Sequence, residues 1–228
     1  MYKSHNQSIF YLKGLKYYDV VFTTKVYNLE ELKSLGARRT ELYLDSYDER
    51  IHHPVGLSED DKKRFNTDVG FIGAFEEFRI KMLLSLAERG IKVTVWGPNW
   101  GPWVGKNPNL NIKNEFLYRD DYAKALNATK INLCFLMKKN RDEVTCRSME
   151  IPGCGAFMLA ERSKRHEGLY KEGEEAAFFS DSEELYQAVK RYLADDDLRR
   201  KVAEGGMERG LKSGYSMQSQ LNSMIERI

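Results

Sequence analysis

The chain has 228 residues, 42% of them apolar and 12% aromatic, and a formal net charge of +2. That composition supports a folded core and excludes wholesale disorder, while so small a charge makes no case for a nucleic-acid or anionic-membrane partner. The length suits one large domain, or one domain and a fraction. No apolar run approaches the roughly 18 residues needed to span a bilayer. The opening MYKSHNQSIFYLKGLKYYD lacks the continuous apolar stretch and small-residue cleavage site of a signal peptide. Cys134, Cys146 and Cys154, odd in number and in apolar or helical context, read as buried reduced thiols, so the expected compartment is the cytoplasm.

In chain order, residues 19–24 predict a short strand, 27–35 a helix stopped by Gly36, and 40–44 a second strand, together one βαβ unit. Residues 45–67 turn polar and read as irregular, with 57–67 as the linker proper. The alternation then restarts with a strand at 68–73, an amphipathic helix at 75–89 closed by Gly90, and a strand at 91–96. A loop rich in Gly, Pro, Trp and Asn covers 97–111, and a helix at 120–129 leads into a strand at 130–135. A short helix at 146–151 precedes strands at 156–160 and 176–179, and helices at 182–194, 196–212 and 216–227 finish the chain. Strands alternating with helices predict a Rossmann-like, doubly wound parallel sheet preceded by a partial N-terminal βαβ segment. Ligands of such sheets sit at the carboxyl ends of the strands.

Candidate site residues fall at those ends. Gly70-Phe-Ile-Gly73-Ala74 opens a helix with free amides for a phosphate, and Arg79 follows on that helix; the structural reading is a tight joint. All three tryptophans cluster in 96–103, to stack on a base or sugar or simply to pack on the domain. Glu150 lies on the short helix before the Gly153-Cys154-Gly155 turn, where a carboxylate can accept ribose hydroxyls and small residues let amides approach phosphate. Arg147 is on the same helix face as Glu150, so a plain i,i+3 ion pair is the competing reading.

Arg147-Ser-Met-Glu150-Ile-Pro-Gly-Cys154-Gly155, then Gly168 to Phe179, Glu183-Glu-Leu185 and Leu198 to Arg209, resembles the C-terminal signature of GT-B glycosyltransferases of group 1. The CgeB-like (spore maturation protein) branch is the most similar. The resemblance covers roughly residues 66–228 well and 19–56 loosely. It implies that Glu150 binds the donor ribose and Arg147 faces the diphosphate. It also implies that the backbone at Phe116 and Leu117 reads the nucleobase, and that an acid eight residues before Glu150 approaches the transferred sugar. Asp142 stands there, a methylene shorter than the family's glutamate, with Glu143 beside it as an alternative register.

What the resemblance implies is a transferase moving a sugar from a nucleoside diphosphate sugar to an unknown acceptor (glycan, protein or small molecule), without cofactor or required metal. The alternative is a non-catalytic nucleotide-sugar-binding or assembly module. An NAD-dependent protein is disfavoured, since no Gly-x-Gly-x-x-Gly follows a strand. Expected organisation is an acceptor-side remnant at 1–56, the linker, a donor domain at 68–212, and a terminal helix at 213–228. Met217, Leu221, Met224, Ile225 and Ile228 of that helix would pack back on the N-terminal segment, which could otherwise self-associate. Asp195-Asp-Asp197 is expected to cap a helix rather than hold a metal, and His52-His53 to be solvated linker residues.

Overall fold

The computed structural model describes residues 8–228. Its N-terminal segment runs α1 (Ile9–Gly14), β1 (Val21–Thr23), α2 (Asn28–Ser34) and β2 (Thr40–Leu42), with β1 and β2 parallel. Gly36, at φ +107°, ends α2 in a conformation that side chains resist. The rest runs α3 (Glu59–Phe65), β3 (Thr67–Ile72), α4 (Glu77–Ala87), β4 (Val93–Trp96), β5 (Leu110–Ile112), α5 (Arg119–Ala128) and β6 (Thr129–Cys134). It continues with α6 (Arg147–Gly153), β7 (Met158–Glu161), α7 (Lys164–Leu169), β8 (Ala177–Phe179), α8 (Ser182–Ala194), α9 (Asp196–Lys212) and α10 (Met217–Ile225).

β3 to β8 form a parallel six-stranded sheet in the order β5-β4-β3-β6-β7-β8, the doubly wound α/β architecture expected. Alternate strand residues divide between two cores, as the twofold side-chain period requires. Val69, Phe71, Val95, Leu133, Leu159 and Phe179 face α4, α8 and α9, whereas Ile72, Trp96, Cys134, Met158, Ala160 and Phe178 face α3, α5 and α6. The winding reverses between β3 and β6, so the crevice beyond the carboxyl ends of those two strands is where such a sheet receives a ligand.

Four local expectations are corrected. Residues 59–65 are helical: Ser58 and Asp61 close a capping box, and Phe65 is buried in the second core. Arg64 and Asp61 then pair with Asp121 and Lys124 of α5. Within the 97–111 loop, Leu110 begins β5, an edge strand whose pattern of two buried residues around one exposed is too short to stand out. Helices α1 and α7 were also unforeseen. Finally, α10 meets the N-terminal segment through polar groups. Gln220 Oε1 accepts from the Leu44 amide at 3.2 Å, and Arg227 Nη1 donates to the Leu42 carbonyl at 2.9 Å. Met217, Leu221, Ile225 and Ile228, expected to make that contact, are exposed.

Candidate functional site

α6 carries the site, and its position is fixed from below. Pro152 in its last turn cannot donate to Ser148, and the Tyr170 hydroxyl takes that carbonyl instead at 2.7 Å. The Ser148 hydroxyl meets His166 Nε2 at 2.7 Å, while His166 Nδ1 lies 2.7 Å from the Glu161 carbonyl. That carbonyl can only accept, so Nδ1 carries the proton and Nε2 receives the serine hydrogen. Burial pushes the His166 pKa down to about 4. Because an unfolded histidine titrates near 6.5, the unfolded chain takes up a proton that the native site refuses as pH falls from about 6.5 to 4. Stability therefore drops over that window, by on the order of 3 kcal/mol for this group. His166→Gln is expected to flatten that acid limb, read as the difference between urea unfolding free energies at pH 7 and 4.5; an unchanged difference would refute the assignment.

The first turn of α6 points into the switch crevice. Arg147 turns away from Glu150, its Nε donating to the Ile72 carbonyl at the end of β3. The exposed Arg147–Glu150 pair is thus not what the structure shows. Gly73 follows at once, its amide bonded to the Trp96 carbonyl at 2.8 Å and its carbonyl to Trp100 Nε1 at 2.8 Å. Gly97 at φ +135° lies so close that a Cβ there would sit 2.2 Å from the Gly73 oxygen. Ala74 leads toward α4, whose first residues have no side-chain cap. Arg79 is 5% exposed, over the Phe71 ring, and its Nη1 donates to the Ala74 carbonyl at 2.9 Å. It braces the 73–76 turn from inside, with its Nε buried and unpartnered.

One turn along α6, the Glu150 carboxylate accepts from the Tyr122 hydroxyl of α5 at 2.5 Å. His52 Nε2 lies 3.9 Å from its other oxygen, with side-chain exposures of 11% for the histidine and 18% for the glutamate. His52 is therefore no solvated linker residue. Nothing in the spacing of His52, Tyr122 and Glu150 announced that they meet. The segment before α5 is held by Asn114 Oδ1, which accepts from the Trp100 amide at 3.1 Å. Asn114 and Arg119, at φ +46° and +47°, bracket an exposed Phe116 stacked on Tyr118 at 5.8 Å, with Leu117 buried between them. Trp96 and Trp100 are both buried, in opposite cores, so the tryptophan loop offers no stacking surface from either ring.

Two other expected positions lie elsewhere. Gly153 and Gly155 are at the far end of α6, before β7, where a Cβ would meet Tyr47 at 2.8 Å and Pro54 at 3.2 Å respectively. Their lack of side chain lets the 47–54 connection pack on α6, away from Gly73 and Arg147. Asp142 lies in the β6–α6 loop, its side chain 7% exposed and its Oδ1 2.6 Å from Lys25 Nζ just after β1. Beside it are Asp45, whose Oδ2 is buried without a partner, and Cys146, 3.7 Å from Asp45 Oδ1. Cys134 and Cys154 are buried as expected, Cys146 is exposed, and none is paired.

Asp195 caps α9, accepting from the Leu198 amide at 2.8 Å. Among the described residues no three His, Cys, Asp or Glu side chains are grouped to hold a metal ion, and no helix is long and apolar enough to cross a membrane. A groove of about 340 Å³ lined by Asn66, Lys92, Asn109 and Lys130 lies at the opposite, amino ends of the strands, not at the carboxyl ends where ligands of such sheets sit.

With that geometry in place, the profile of the family described as Glycosyl transferase-like matches residues 79–226. No curated protein matches the chain. Among solved structures, Anabaena HepE in complex with UDP and glucose superposes with a TM-score of 0.72 at 13% identity, over 97% of this chain and 67% of that one. Sucrose-phosphate synthase from Thermosynechococcus elongatus gives 0.69 at 14% identity, over 94% of this chain and 59% of that one. The C-terminal domain of a group 1 family glycosyl transferase from Francisella tularensis gives 0.57 at 12% identity, over 75% of this chain and all of that one. Likenesses this distant show the fold. The chain spans about two thirds of the length of the first and less of the second.

Proposed function

Because the chain belongs to the glycosyl transferase-like family, we propose that it is the donor-binding portion of a GT-B glycosyltransferase of the CgeB-like branch. Its substrate would be a nucleoside diphosphate sugar, and its acceptor a glycan, protein or small molecule that its residues do not name. The observation that carries this reading is the path along α6, from Arg147 on the Ile72 carbonyl at the switch crevice to Glu150 on Tyr122. In it the diphosphate lies against Arg147 and the Ala74 amide at the Gly73 turn, where the missing side chain lets it approach, with Arg79 holding that turn in shape. Ribose hydroxyls go to Glu150, the base reaches Phe116 and Leu117, and Asp142 stands beside the transferred sugar. The UDP and glucose of HepE support the substrate class. Transition-state charge on the leaving diphosphate is then met by fixed cations and amides, with no metal required.

The proposed boundaries are an acceptor-side segment to residue 56 and a donor domain to residue 212. α3 counts with the donor domain, since it packs on α5. Exposed Ile9, Phe10, Tyr17 and Tyr18 support self-association of the N-terminal segment. The second reading is a nucleotide-sugar-binding module of the same fold without turnover.

Calorimetric titration with UDP, GDP and their nucleosides tests the donor site. Arg147→Met should lower diphosphate affinity about tenfold and leave the weak nucleoside binding alone, and EDTA or magnesium should change neither by more than a few fold. Equal losses for both ligands, or strict metal dependence, would overturn it. Release of UDP or GDP from a matching nucleotide sugar separates enzyme from module.

A further inference from the structure

His52 is held as a hydrogen-bond donor toward Glu150. The Asp48 amide donates to His52 Nδ1 at 3.0 Å, so in the neutral ring the proton sits on Nε2. The turn is itself braced, with the His52 amide on the Asp48 carbonyl at 2.7 Å and the Arg50 guanidinium bidentate on the Asp48 carboxylate. The ring stands edge-on to Tyr122, centroids 5.5 Å apart. The protonated Nε2 thus lies 3.9 Å from Glu150 Oε1, too far for a direct hydrogen bond. The gap matches one hydroxyl group. An oxygen about 2.8 Å from both atoms would accept from Nε2 and donate to the carboxylate.

We propose that His52 and Glu150, the latter braced by Tyr122, form a clamp on the ribose 2′-hydroxyl, and that His52 makes the site prefer a ribonucleotide to its 2′-deoxy counterpart. The inference rests on the donor-site reading above and adds to it a selecting residue from outside the donor domain. Glu150 alone can receive either ribose hydroxyl, and its Oε2 already holds Tyr122. Oε1 is the free oxygen, and the hydroxyl bound there is the one His52 reads. Burial lowers the His52 pKa, against the pull of Glu150 and Asp48, and so keeps Nε2–H as the ring's single proton near neutral pH. A deoxy ligand leaves that buried donor and Oε1 unbridged, which is how a site built for a hydroxyl rejects its analogue. His52 lies in the 48–54 connection, so ribose recognition also ties the connection to an occupied site.

The test is titration of the full chain with UDP, GDP and ADP and with their 2′-deoxy forms. The wild type should favour the ribo form of whichever nucleotide binds by about tenfold or more. His52→Phe, which keeps a ring against Tyr122 but no donor, should bring that ratio within about threefold of unity. His52→Gln, whose amide reaches the Nε2 position, should keep most of the preference. A ratio in His52→Phe equal to that of the wild type, or no ribo preference in the wild type, overturns the clamp even if Arg147 and Glu150 still govern diphosphate binding. If no nucleoside diphosphate binds, the clamp and the donor site fall together. Should His52→Phe not fold, loss of preference in His52→Gln with folding intact counts against the clamp, and retention supports it.

Discussion

Glu150→Ala is expected to weaken binding of the nucleoside diphosphate about tenfold to a hundredfold. A hydrogen bond to a charged group is worth ~1.5–3 kcal/mol, and ~1.4 kcal/mol is a factor of ten. The truncation also strips the buried Tyr122 hydroxyl of its acceptor, which costs stability by ~1–3 kcal/mol. Glu150→Gln separates the two losses. Its amide oxygen can still take the Tyr122 hydrogen, so stability should recover, while the missing charge and the altered donor pattern leave ribose binding weak. Calorimetry with UDP and GDP reads the first quantity and thermal melting the second. Nucleotide affinity unchanged in both variants would remove Glu150 from the site.

The parts of this site legible in the sequence are those that local chemistry announces. Glycines after apolar strands marked the carboxyl ends of β3 and β4, and the Arg-x-x-Glu spacing put Arg147 and Glu150 on one helix face. Alternating periods revealed the sheet. What stayed hidden depends on distance along the chain. His52 and Tyr122 reach Glu150 from 98 and 28 positions away, and Lys25 meets Asp142 across 117; no periodicity encodes such meetings. The terminal helix shows the same limit from the other side. An apolar stripe at helical spacing predicted its docking face, but Arg227 and Gln220 found carbonyl and amide partners on the open end of β2, and the stripe faces outward. Gly153 and Gly155 drew attention as ligand glycines because close approach is all a sequence can suggest. The group approaching them is the chain's own Tyr47 and Pro54.

Lys25→Met should be the most damaging single change at the junction of the two sheets. Lys25 Nζ sits 2.6 Å from Asp142, with side-chain exposures of 21% and 7%. Removing one partner of a buried pair costs ~3–5 kcal/mol, and the partial exposure of Lys25 brings the expectation down to about 2–3 kcal/mol. The loss should depend on pH. Burial already holds the Asp45 pKa above the ordinary carboxylate range, opposed by Lys25 and Arg165 and reinforced by Asp142. Without the lysine, Asp45 loses a counter-charge while burial and the repulsion of Asp142 remain, so its carboxylate is pushed toward taking a proton. The folded-state pKa of that carboxylate is then raised above its unfolded value, so the destabilisation is full at pH 8 and shrinks as pH falls toward 5. Asp142→Asn in the Lys25→Met background should restore most of the stability, and a double-mutant cycle by urea unfolding reads the coupling. Additive losses would mean that the pair does not hold the N-terminal segment to the β6–α6 loop. The same double variant decides what Asp142 does. If its carboxylate stands beside the transferred sugar, restoring stability with asparagine leaves donor binding intact and sugar release depressed. If its work is to anchor Lys25, Lys25→Met and Asp142→Asn share one defect and the double variant recovers both.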